Sequence, residues 1–138
     1  MDSTDAKTYI LLGYLFAEQK RYAEAQTFAQ KSLSMDSSFA SYNLLAWVLI
    51  AGELDIARGI VMGQRALDSK PKDWAETARI YSYVALPEHS LGLAYLKKGE
   101  YEKAVSYLEQ TAERAPQRQA IRDDLQLSRH KLQEKTKK

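Results

Sequence analysis

The 138-residue chain contains no cysteine. That excludes a disulfide framework, a thiolate nucleophile and any cysteine-ligated metal or iron–sulfur centre. Glycine and proline are scarce, at six and three residues, too few for a linker-rich or collagen-like chain. Neither sign of charge dominates. Twenty Lys and Arg stand against eighteen Asp and Glu, which argues against a dedicated nucleic-acid binder. Long apolar runs are missing too. The longest, Leu44–Ala51, is less than half of the about 20 residues that a membrane span needs, and it reads as a buried helix. The first residues, Met-Asp-Ser-Thr-Asp, have neither the basic nor the apolar region of a secretory signal, so a cytoplasmic setting is expected. No stretch alternates apolar and polar residues over strand length. The length suits one domain with a real core, or a short repeat array.

What is present is helical periodicity. Ile10, Leu11, Tyr14 and Leu15 recur at helix spacing, as do Leu44, Leu45, Val48 and Leu49, and then Val105, Leu108 and Ala112. Short turn signals such as Asp36-Ser37-Ser38, Lys98-Gly99-Glu100 and Ala115-Pro116-Gln117 separate these runs. The pattern predicts eight helices, at 5–19, 22–34, 39–51, 55–69, 74–85, 87–98, 101–115 and 118–135. Their short connections require antiparallel neighbours.

The chain also repeats itself. A shift of 79 residues places Leu12-Gly13 on Leu91-Gly92, Phe16 on Tyr95, Tyr22 on Tyr101, Ala25 on Ala104 and Phe28 on Tyr107. One copy reads Tyr9-x2-Leu12-Gly13-x2-Phe16…Ala25-x3-Ala29. The other reads Glu88-x2-Leu91-Gly92-x2-Tyr95…Ala104-x3-Leu108…Pro116. Both follow the tetratricopeptide (TPR) pattern W-x2-L-G-x2-Y…A-x3-F…P of about 34 residues, and over most of its length the chain resembles the TPR family. The resemblance implies an all-α fold, a right-handed solenoid of about three antiparallel helix hairpins. Each hairpin leaves one apolar face that the next must cover. Gly13 and Gly92 are expected to let the first helix of a hairpin approach its own second helix. Ala25 and Ala104 supply the small positions opposite, and Tyr22 and Tyr101 pack back from the start of that second helix.

The boundaries that follow are repeat 1 at 5–38, repeat 2 at 39–72, an inserted helix at 73–85, repeat 3 at 86–117, a capping helix at 118–135 and a basic tail at 136–138, all in one domain spanning 1–138. The middle copy departs from the pattern. Ala46 replaces the helix glycine, the turn runs long through Gly52-Glu53-Leu54-Asp55, and Gly59 and Gly63 stand where an alanine and a larger residue are usual. The insert has Asp73 as N-cap and Glu76 at N3, resembling a capping box. Trp74, Ala78, Tyr81 and Ala85 then share one face. Pro87 either opens the next helix or kinks an extension of it. In the last helix Ile121, Leu125, Ser128 and Leu132 form one stripe among charged positions, as expected of the cap of a repeat stack.

No catalytic constellation emerges. His89 and His130 lie on different elements, and no nucleophile is ordered around them. No His/Cys cluster suggests a metal, and Asp123-Asp124 reads as helix surface. No glycine-rich phosphate loop occurs, so no cofactor is expected. Gly59-x3-Gly63 has charged flanks and reads as close helix packing rather than a membrane dimer motif. Residues 118–138 carry seven Lys or Arg against three Asp or Glu, but no interleaved aromatics to stack bases.

The family resemblance implies a protein partner and a concave face lined by the first helix of each hairpin. Its inward positions fall on Lys7, Ile10, Tyr14 and Glu18, on Asn43, Trp47 and Ile50, and on His89, Leu93 and Lys97. Such an apolar, aromatic lining suits anchors for a peptide segment. Where TPR chaperone adaptors hold a terminal carboxylate with a basic and Asn clamp, this sequence has Ile10, Tyr14 and His89, so that clamp is not expected and an acidic C-terminal tail is not the expected ligand. The leading expectation is a non-catalytic interaction scaffold. A second reading has Tyr14 and Trp47 pack against the insert, with Trp74 and Tyr81 filling the groove from within. Two others are a homo-oligomer built on the first-helix faces, and an accessory domain of a larger enzyme or secretion complex.

Overall fold

Asp5 starts the first helix by folding its carboxylate back onto the Thr8 amide at 2.9 Å, which satisfies one of the donors a helix N-terminus leaves open. The computed structural model describes residues 5–137, within which eight helices and no strand occur. Met1–Thr4, which begin the expected domain at 1–138, and Lys138, the last residue of the expected basic tail, lie outside the described residues. The helices are α1 (Ala6–Glu18), α2 (Tyr22–Met35), α3 (Phe39–Ala51), α4 (Ile56–Asp68), α5 (Trp74–Ile80), α6 (Pro87–Lys98), α7 (Tyr101–Arg114) and α8 (Gln119–Thr136). Asp55 caps α4 on the Arg58 amide at 3.0 Å, and Pro87 opens α6 in the first turn, where its missing N–H costs nothing.

Helices α1–α2, α3–α4 and α6–α7 pair as hairpins, and each hairpin stacks on the next through α2 and α3, then α4 and α6. Helix α8 lies on α7 and closes the stack with Ile121, Leu125 and Ser128 buried. Helix α3 sits in the middle. It is apolar on nearly every side and, accordingly, buried on nearly every side.

Each hairpin turns in the same way. Lys20, Glu53 and Gly99 take the left-handed conformation at φ 61°, 54° and 80°. The next amide reaches back five residues in each, from Arg21 to Phe16 O, Leu54 to Leu49 O and Glu100 to Tyr95 O. This Schellman closure satisfies carbonyls that the helix end leaves open. The aromatic pairing repeats as well. Phe16 stacks on Phe28 at 5.2 Å, and their 79-residue counterparts Tyr95 and Tyr107 stack at 5.8 Å. In the middle hairpin Leu49 and Met62 fill that place within the first core.

Four expectations are corrected. The inserted helix ends at Ile80, not at residue 85, so Trp74, Ala78, Tyr81 and Ala85 do not form one helical stripe. Its capping box does not form: Asp73 makes no side-chain cap, and Glu76 pairs with Arg79 instead. A methyl on Gly13 would meet Leu44 of α3 at 2.5 Å, so this glycine serves the stacking of one hairpin on the next rather than its own. Gly92 does serve its own hairpin, against Leu108 of α7 at 2.7 Å. The last helix runs to Thr136, into the stretch expected as a tail. Gly59 and Gly63 are indeed sites of close packing, against Ile50 of α3 and Leu91 of α6.

Candidate functional site

The segment 81–85 leaves α5 in a non-helical path and crosses the face formed by α1, α3 and α6. Leu86 precedes Pro87, and the proline ring holds it extended, at φ −101° and ψ 128°. This strap is held mainly by its own main chain. The Ala85 amide donates to the Tyr14 hydroxyl at 3.2 Å. The Ala85 carbonyl accepts from Asn43 Nδ2 at 2.7 Å, and the same amide group approaches the Tyr14 hydroxyl at 3.4 Å. From the other side the Arg118 guanidinium donates to the carbonyls of Val84, Ala78 and Tyr81. Two first helices and the start of α8 thus converge on one short non-helical stretch, which turns on itself through the Val84 amide donating to the Tyr81 carbonyl at 3.3 Å.

Burial explains the electrostatics. Removal from water pushes the Tyr14 phenol far above its ordinary value, so it remains a neutral hydroxyl. Partial burial lowers Arg118, which nevertheless keeps its charge. Asn43 Oδ1 and Arg118 Nε are both buried without a hydrogen-bond partner.

Beside the strap, Trp47 tilts over the His89 ring at 5.2 Å, and His89 Nε2 meets Asp124 of α8 at 2.7 Å. Trp47 and Tyr83 line hollows on both sides of the strap. One, about 480 Å³, also involves Tyr14, Glu18 and Lys20. The other, about 360 Å³, runs along His89, Arg118 and Ile121. A larger hollow of about 790 Å³ between α7 and α8 is rimmed by Glu102, Glu109 and Glu113 and has no aromatic floor.

The ten expected groove residues therefore divide. Tyr14 and Asn43 meet on Ala85, Trp47 and His89 meet each other, and Glu18 joins the hollow next to Tyr14. Ile50 is a correction: it is fully buried against Gly59 of α4 and has no surface to offer. Lys97 reaches Glu53 in the α3–α4 turn at 2.7 Å. Ile10 packs half-buried on the first core, Leu93 is half-buried on α6, and Lys7 is exposed. Residues of the insert do lie against Tyr14 and Asn43, but they are Tyr83 and Ala85 rather than Trp74 and Tyr81. Tyr83 sets its ring edge on Tyr14 at 5.6 Å, whereas Trp74 turns away to meet Phe39 at 4.4 Å. Arg118, Tyr83 and Asp124 had no place in the expected site. The available signal was Tyr81-Ser82-Tyr83-Val84-Ala85 itself, an apolar and aromatic loop directly ahead of a Pro-restricted residue.

Stacked helical hairpins define the class: a helical-repeat solenoid. Residues 6–39 match one tetratricopeptide repeat family model and residues 89–120 match another, and the chain belongs to the tetratricopeptide repeat family. No curated protein matches it. Proteins built of these repeats generally mediate protein–protein interaction. No helix among the described residues is long and apolar enough to cross a membrane.

Proposed function

We propose that the protein is a non-catalytic scaffold that receives a peptide segment of a partner protein on its concave face, around Trp47 and Tyr83. One observation carries this reading. Tyr14 and Asn43, on neighbouring first helices, already grip the N–H and C=O of a single residue in a non-helical segment. Peptide recognition of this kind takes affinity from main-chain bonds and selectivity from adjoining side-chain hollows. Trp47 and Tyr83 supply the aromatic walls of those hollows. Selection of displayed peptides on the folded protein, repeated on Trp47→Ala, tests the reading. Peptides retained by the wild type and lost by a folded Trp47→Ala are the expected result. Peptides that bind both proteins equally would place the site elsewhere.

Self-assembly is the second reading. Leu11 and Leu15, one turn apart on α1, are about half exposed at 51% and 49%, an apolar stripe on the first hairpin. Light scattering over a concentration series separates the two readings. A dimer dispersed by Leu11→Lys with Leu15→Lys supports assembly through α1, and a constant monomer mass rejects it.

A further inference from the structure

The hold on the strap has two properties that bear on what else fits there. It is nearly sequence-blind, because Tyr14, Asn43 and Arg118 all address main-chain atoms. The strap's side chains must satisfy three things: a small residue at the buried Ala85 position, an apolar one at Val84, which packs half-buried on both cores, and an aromatic edge against Tyr14 at Tyr83. Ile80, Tyr81 and Tyr83 remain about half exposed, at 59%, 50% and 45%. The hold is also incomplete. Asn43 lies almost wholly out of solvent, yet its Oδ1 accepts nothing, and Arg118 Nε donates to nothing. The Asn43 amide cannot be turned over to use that oxygen, since Oδ1 would then face the Ala85 carbonyl at 2.7 Å. A buried acceptor and a buried donor thus stand ready beside a bound strap that uses neither.

We infer that the Tyr81–Ala85 strap is an exchangeable occupant of the concave face. A partner's segment that makes the same turn, with an aromatic residue two positions before a small one, takes its place on Tyr14, Asn43 and Arg118. This inference rests on the reading of the concave face as a peptide-binding surface. The tether at α5 and α6 gives the strap a high effective concentration, so the wild type holds the site mostly closed. A competitor's apparent affinity falls by the fraction of molecules that are open. The grip addresses main-chain atoms and the hollows beside it are walled by Trp47 and Tyr83, which selects an apolar, aromatic segment.

The probe is a fluorescein-labelled peptide with the sequence of residues 80–87, followed by anisotropy. In the protein, Ala85→Glu places a carboxylate in a position 7% exposed and expels the strap, while the peptide keeps its alanine. The expected result is binding at least about tenfold tighter to folded Ala85→Glu than to the wild type, lost again when Asn43→Leu is added. Equal binding to wild type and Ala85→Glu shows that strap and peptide do not compete. It overturns this inference and leaves the peptide-binding reading standing. No binding to folded Ala85→Glu overturns it as well. A wild-type dimer abolished by Ala85→Glu would make a second copy's strap the occupant, and would also overturn it. Hydrogen exchange on the wild type needs no variant to fold. The Ala85 amide is expected to exchange at least about a hundredfold faster than the core amides of Leu49 and Leu91, through local opening. Exchange at the core rate would mean that the strap never leaves a folded molecule, and the inference would fail.

Discussion

Three turn residues share one backbone conformation but not one side chain. Gly99 enters the left-handed region without strain, whereas Lys20 and Glu53 carry a Cβ there. Lys20→Gly is expected to raise stability by up to about 1 kcal/mol in urea unfolding, and Gly99→Ala to lower it by a similar amount. Glu53 is the less informative position because its ion pair with Lys97 would be lost as well. The helix glycines act differently. Gly92→Leu should overpack α6 against Leu108, and Gly13→Leu should wedge α1 from Leu44, each costing roughly 1–3 kcal/mol or more. The recurrence of Leu-Gly at both sites was plain in the sequence, but the helix each glycine faces was not. A sliding comparison reveals spacing along the chain, while Gly13 and Gly92 differ in which neighbour happens to approach most closely.

At the level of the helices, exposed carboxylates do much of the electrostatic work. A backbone hydrogen bond from Thr8 holds Asp5 below its ordinary value. Hydrogen bonds from Lys97, Arg79 and Lys98 do the same for Glu53, Glu76 and Glu100. A carboxyl whose folded value is depressed binds its proton more readily in the unfolded chain. Its stabilisation is therefore present above the unfolded value and lost as pH falls through the folded one. The thermal midpoint should decline as pH drops below about 4, and a flatter decline is expected for Asp5→Asn combined with Glu53→Gln. The helix types and most of their ends were legible because caps, glycines and prolines act locally. The end of α5 was not. Tyr81–Ala85 has a helical apolar spacing, yet Arg118, 40 residues away from Ala78, draws off the carbonyls of Ala78, Tyr81 and Val84.

Across the whole molecule, stability flows through hairpin neighbours. Ile121 of α8 is fully buried in the second core with Leu108 and Ala104. Ile121→Ala should cost about 2–5 kcal/mol, and hydrogen exchange should show α6 and α7 losing protection before α1 and α2 do. The family pattern made the stacking order readable, and it placed Tyr14, Asn43, Trp47 and His89 on the correct helices. What occupies the space among them was beyond its reach, because the occupant belongs to the part of the chain that the repeat does not describe.

One bond sets this stack apart from a simple row of hairpins. The Tyr14 hydroxyl and the Ala85 amide are 71 residues apart in sequence, and Arg118 grips the same strap from the far end of the stack. The first hairpin and the start of the capping helix are therefore cross-tied. Under a pulling force on its two ends, a plain row would peel away one hairpin at a time. Here the tie spans the row like a drawstring, and the ends share the load until the strap gives way.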